Sequence, residues 1–132
     1  MKNLFLYILI IPLVTVSQNY NGPESVEYNI GWNNSTQYFI SNSSNGQILA
    51  LDEDGLSVFT DGLNTGPHGL EFGVNMEGSN LYACSGGRLY GFDMEGNQIL
   101  NYNLNGSFLN GITSRLPLSA TAEPLSSSDL FI

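Results

Sequence analysis

The chain has 132 residues and a formal net charge of −9, from 12 acidic and 3 basic side chains, with one histidine and one cysteine. That length allows one domain at most, or part of a larger one. Lys2, Arg88 and Arg115 are scattered, so there is no basic patch for phosphate contacts and nucleic acid is excluded as a partner; Cys84 alone excludes a disulfide framework and a multi-cysteine zinc site.

Charged residues are only 11%, while Asn, Gly and Ser are abundant. A helical bundle would be rich in Ala, Glu, Lys and Leu, so the composition predicts an all-β protein with many polar turns.

Met1-Lys2-Asn3 carries the one early charge, Leu4 to Val16 is apolar apart from Thr15, and Ser17-Gln18-Asn19 follows. This order of charged, apolar and small residues predicts a secretory signal peptide over residues 1–17. The apolar run is short of the ~20 residues a membrane span needs. An uncleaved anchor is the alternative. The expected location is extracytoplasmic, either secreted or periplasmic, with no membrane contact after cleavage. In that compartment the single Cys84 reads as a small buried hydrophobe.

Beyond the leader the chain repeats itself. Pro23-Glu24-Ser25-Val26-Glu27-Tyr28 parallels Pro67-His68-Gly69-Leu70-Glu71-Phe72, offset by 44, and a third start at Leu109-Asn110-Gly111-Ile112-Thr113 lies a further 42 along. Tyr38-Phe39-Ile40-Ser41 matches Leu81-Tyr82-Ala83-Cys84, and Ile48-Leu49-Ala50-Leu51 matches Leu89-Tyr90-Gly91-Phe92. Aromatic and β-branched runs separated by Asn, Asp, Gly and Ser predict four strands in each unit. In the first unit they are Glu24–Asn29, Thr36–Ser41, Gly46–Asp52 and Leu56–Phe59. In the second they are His68–Phe72, Ser79–Cys84, Gly87–Asp93 and Asn97–Tyr102. A period in the low forties with four strands per unit is the signature of a β-propeller blade. The prediction is a partial propeller over residues 18–114, with blade one at 24–60, blade two at 68–104 and the start of a third at 109–114. Val26, Tyr28, Leu70 and Phe72 are expected to form the seam between the first two blades.

From Arg115 to Ile132 there is no Gly, Asn or Tyr, but there are two prolines and a run of three serines. Residues 115–132 are therefore expected to be an irregular tail outside the fold, as in a propeller truncated from six blades.

Asp52-Glu53-Asp54-Gly55 and Asp93-Met94-Glu95-Gly96 look like fragments of calcium loops, but hairpin turns account for both. The sequons at Asn33, Asn34, Asn42 and Asn105 arise easily in a chain of this composition. Trp32 and the tyrosines read as packing between blades. Ser85-Gly86-Gly87 lacks the Lys-Ser/Thr ending of a phosphate loop. Nucleophilic catalysis has one possible base, His68, and nothing sets a third group beside it and Cys84.

The opening Glu24-Ser25-Val26-Glu27-Tyr28 resembles the Glu-Gly-Pro-x-Trp start of the SMP-30/gluconolactonase family. The stretch from Pro23 to Thr113, with Tyr38-Phe39-Ile40-Ser41-Asn42, Gly66-Pro67-His68-Gly69-Leu70 and Leu109-Asn110-Gly111-Ile112, is similar to that family's six-bladed propellers and to NHL-type propellers. The resemblance implies a divalent cation, usually calcium, at the top of the central channel, with Glu24 as a metal ligand. It also implies that Asn110 faces the substrate, and His68 holds the equivalent place in the second unit. The complete relative would be a metal-dependent lactone hydrolase acting on a small-molecule lactone. Phe108 stands where that family often has Arg. Without chemistry, the same architecture would be a binding or scaffold propeller for an extracellular protein or glycan.

The residues themselves lead to the same three positions. Glu24, His68 and Asn110 each begin the innermost strand of a repeat, and rotation about a propeller axis would bring their side chains together at the channel mouth. Apolar strands left uncovered predict self-association.

Overall fold

A computed structural model describes residues 20–29, 37–75, 78–105, 108–115 and 129–132. The expected signal peptide, Trp32 and the sequons at Asn33 and Asn34 lie outside these. Among the described residues all regular structure is β, and no helix is long and apolar enough to cross a membrane.

The first repeat forms β1 (Pro23–Asn29), β2 (Gln37–Asn42), β3 (Gln47–Asp52) and β4 (Gly55–Thr60). The second forms β5 (Pro67–Asn75), β6 (Gly78–Ser85), β7 (Arg88–Phe92) and β8 (Gln98–Asn103). Each is an antiparallel four-stranded meander in chain order. The turns follow from their residues. Asp52 Oδ1 accepts the Asp54 amide at 2.9 Å in one hairpin. In the other, Asp93 Oδ1 accepts the amides of Glu95 at 3.0 Å and Asn97 at 2.8 Å. Asp holds each turn from its side chain, and Gly55 and Gly96 take positive φ at 115° and 84°.

The two sheets stack with opposite faces in contact. Sheet one contributes Phe39, Ile48 and Ala50; sheet two contributes Leu70, Leu81, Ala83, Tyr90 and Phe92, with Leu63 from the connection. Phe59, Phe72 and Met94 pack against this core. Phe39 sits edge-on to Phe59 (centroids 4.7 Å) and to Phe72 (5.3 Å), and Phe59 is edge-on to Phe92 (6.3 Å). These are favoured aromatic geometries.

The expected seam needs correcting. Leu70 is buried and Phe72 packs on the core, but Val26 and Tyr28 are exposed. Val26 pairs with Ile40 and Tyr28 with Tyr38, whereas Glu27 pairs with Phe39. Val26 and Tyr28 therefore lie on the face of sheet one turned away from sheet two, because cross-strand partners share a face.

Gly66 sits where the chain passes from the first repeat to the second. A Cβ there would lie 1.5 Å from the Ser43 carbonyl oxygen, so only glycine allows the backbones to approach this closely. Gly69 allows a similar approach by the third repeat start, with the Asn110 carbonyl oxygen 3.0 Å and Gly111 Cα 3.1 Å from such a Cβ. Beyond that approach, β9 (Thr113–Arg115) pairs antiparallel with β10 (Asp129–Phe131). Arg115, placed by the sequence at the head of an irregular tail, is thus in a strand that pairs with Asp129–Phe131, and the rest of the expected tail, 116–128, lies outside the described residues.

Phe39 is fully buried at the centre of the aromatic cluster. Phe39→Ala is expected to cost about 3–5 kcal/mol, measured as a shift in the chemical-denaturation midpoint. A loss below about 1 kcal/mol would show that the sheets do not depend on this contact.

Candidate functional site

The inner strands β1 and β5 begin alike. The register of β1 against β2 shifts between Pro23 and Val26, and that of β5 against β6 shifts between Pro67 and Gly69. Such bulges re-aim side chains, and the residues they re-aim here are Glu24 and Ser25 in β1 and His68 in β5.

Ser41, buried on β2, satisfies the first bulge: its Oγ accepts the amides of Glu24 at 3.2 Å and Ser25 at 2.7 Å. The Ser25 hydroxyl then accepts the Leu70 amide at 3.2 Å, joining β1 to β5. Glu24 and His68 meet directly, with His68 Nδ1 2.5 Å from Glu24 Oε2. The Ser43 hydroxyl donates to Glu24 Oε1 at 3.0 Å. The Phe108 ring lies over the imidazole, centroids 4.7 Å apart.

A carboxylate only accepts, so the hydrogen of this contact resides on Nδ1. The bond from His68, then that from Ser43, holds the Glu24 carboxyl below its ordinary range. Glu27, three residues on, moves the other way. Partial burial raises it, Glu71 adds to the rise, and the Phe72 amide donates to it and offsets part.

The structure thus brings together two of the three residues singled out from the repeat. Asn110 approaches through its backbone, with its carbonyl against Gly69, and its side chain is exposed. Ser41, Ser43 and Ser25 were missed. Ser43 was legible only as part of a sequon, and Asn42 of that sequon is buried with its Oδ1 accepting the Asn21 amide at 2.9 Å. Cys84 is buried, its Sγ directed at the Gly111 carbonyl at 3.7 Å, and desolvation pushes its thiol up to about 11. That is the chemistry of a packing residue.

Calcium takes ~6–8 oxygen ligands. Around Glu24 the described residues offer its own carboxylate, whose oxygens already hold His68 and Ser43. No group of three or more His, Cys, Asp or Glu gathers among the described residues. They do not fit a resident calcium ion.

No protein-family model matches the chain, and no curated protein matches it.

The depressed Glu24 carboxyl has a defined consequence. Its contribution to stability is present above its unfolded value, near 4.5, and is lost as pH falls through the lower folded value. Glu27 has the opposite sign: its raised folded value favours the fold below the unfolded value and costs stability as pH rises through the folded one. Thermal melts across acid pH should show Glu24→Gln less stable than the parent near pH 6, with the gap closing toward pH 3. Glu27→Gln should instead gain stability above pH 5. Parallel curves for parent and Glu24→Gln would mean that the pair with His68 contributes nothing.

Proposed function

We propose that this is an exported, non-catalytic binding module built from propeller-type repeats. The observation that carries the reading is the use made of the repeat-equivalent polar residues. Glu24 and His68 bind each other across the two repeats and Ser43 takes the second carboxylate oxygen, so the pair clasps one blade-like sheet to the next. Support for the propeller reading comes from the stacking. Two four-stranded meanders pack opposite faces together, each begins with a bulged strand, and a further strand, β9, comes alongside β5. Export rests on the charged, apolar, small-residue order of residues 1–17. In an exported host, the amino terminus of the mature protein is expected at Gln18.

A second reading, the metal-dependent lactone hydrolase, draws on the resemblance to the SMP-30/gluconolactonase family. One observation favours it: the Glu24 side chain is 43% exposed beside the start of β5, within reach of solvent. That reading would require Glu24 to exchange its bonds to His68 and Ser43 for the cation, leaving His68 and Asn110 to contact substrate.

Calorimetry with calcium and a pH-stat assay with a sugar lactone separate the two. The binding-module reading expects no calcium affinity tighter than millimolar and no lactone opening above the buffer rate. Micromolar calcium binding that disappears in Glu24→Gln, together with turnover, would establish the hydrolase instead.

A further inference from the structure

We propose that Asn110–Gly111 is a site of covalent self-modification, at which the backbone cyclises on the Asn110 side chain and reopens as aspartate or isoaspartate, loosening the third repeat start over Cys84. The Gly111 nitrogen attacks Asn110 Cγ, and the new C–N bond closes a succinimide ring. The Cγ–Nδ2 bond breaks, and the side-chain nitrogen leaves as ammonia with the proton of the Gly111 amide. Water then adds to either ring carbonyl. Opening at one gives aspartate; opening at the other gives isoaspartate, in which the backbone runs through the former side chain. Each route exchanges an ammonia for a water, with no oxidant or reductant consumed.

Glycine after asparagine leaves the attacking nitrogen unscreened, since it has no Cβ. The pair occurs four times, at 21–22, 45–46, 105–106 and 110–111. Gly106 lies outside the described residues, and the structure separates the other three pairs. Asn21–Gly22 is pinned: the Asn21 carbonyl accepts the Ser44 amide at 3.1 Å and the Gly22 carbonyl accepts the Ser43 amide at 2.9 Å. Asn45 has its side chain occupied, with Nδ2 donating to Gln47 Oε1 at 2.7 Å and Oδ1 accepting the Gln47 amide at 3.3 Å. The Gly46 carbonyl accepts the Leu63 amide at 3.2 Å. Gly22 and Gly46 also take positive φ, at 68° and 71°, so the turns themselves require glycine.

Asn110–Gly111 differs on each count. Both residues are exposed and lie in no strand. Among the described residues, neither the Asn110 side chain nor the peptide group it shares with Gly111 makes a hydrogen bond. Gly111 is not in the left-handed region, and a Cβ on it would meet nothing within 4 Å. Neither backbone conformation nor packing calls for glycine there; what it provides is the open nitrogen.

The chain is held on either side of the pair. The Leu109 amide donates to the Gly86 carbonyl at 2.8 Å, and β9 begins at Thr113. Between these anchors the segment covers a thiol: the Gly111 carbonyl lies 3.7 Å from the Sγ of Cys84, which is fully buried. The fit is close, because a Cβ on Gly69, the cross-strand partner of Cys84, would lie 3.1 Å from Gly111 Cα. An isoaspartyl link adds a backbone carbon at this contact, and a segment anchored at both ends then no longer has the length that fits.

Incubating the full chain at mildly alkaline pH, where amide deprotonation speeds the attack, tests this. Ion exchange should resolve a growing species with an added negative charge. Chymotryptic mapping, which cuts after Phe108 and so separates Asn110 from Asn105, should place aspartate and isoaspartate at 110 before either appears at 21 or 45. Gly111→Ala should slow the change at 110 by roughly tenfold or more with the circular dichroism spectrum unchanged, since space for the methyl is open. Should that variant lose its fold, Asn110→Gln, whose longer side chain disfavours the five-membered ring, should suppress the species instead. The isoaspartyl form should label at Cys84 with a maleimide faster than the fresh chain. Asn110→Asp, which adds the charge without the extra backbone carbon, should label as the fresh chain does. Absence of the acidic species, modification at 21 or 45 first, or a rate untouched by these variants overturns the site. Equal labelling of Cys84 in the fresh and isoaspartyl chains overturns its coupling to the fold.

Discussion

The architecture depends on one packing contact, the insertion of Phe39 from the first sheet between Phe59 and Phe72. A four-stranded sheet buries one face only if something covers it, and here each repeat covers the other. Phe39 and Phe92 are the largest fully buried side chains among the described residues. Full burial of a side chain of this kind contributes about 1.5–3 kcal/mol. Ala50 and Ala83, small residues in the same core, let the strands approach and leave the aromatic rings to fill the space.

That stacking also explains the polar cluster. Once β1 lies beside β5, matching bulges at their starts turn Glu24 and His68 toward each other. A bulge leaves backbone amides without ladder partners, and the buried Ser41 hydroxyl supplies the acceptor for those of Glu24 and Ser25. The site is thus a consequence of backbone irregularity supported by serines, and its histidine and carboxylate join two sheets that their sequence separates by 44 residues.

The two faces of the first sheet carry different kinds of information. The inward face mixes Glu27 with Phe39, Ile48 and Ala50, and is buried against its neighbour. The outward face carries Val26, Ile40, Leu49, Val58, Tyr28, Tyr38, Leu51 and Leu56 beside the polar pair Asn42 and Gln47, with Ile40 and Leu49 buried and Val26, Tyr28, Tyr38 and Val58 exposed.

Much of the strand order was legible in the sequence alone. Alternating apolar residues between Asn-, Asp- and Gly-rich turns placed all eight strands of the two sheets within a residue or two of their observed starts, because strand period and turn chemistry are local properties. The repeat offset also made Glu24 and His68 equivalent, and the turn roles of Asp52 and Asp93 followed from residue type. The sequence did not say which face of β1 turns inward. An alternating strand of Val26, Glu27 and Tyr28 reads as apolar on the Val26 side, yet stacking buried Phe39 and carried its partner Glu27 inward with it. Nor did it reveal Ser41 and Ser43 as partners of Glu24, since a bulge and a chain crossing depend on register. The return of Asp129–Phe131 to β9 likewise depends on pairing across distance, which tertiary structure alone decides.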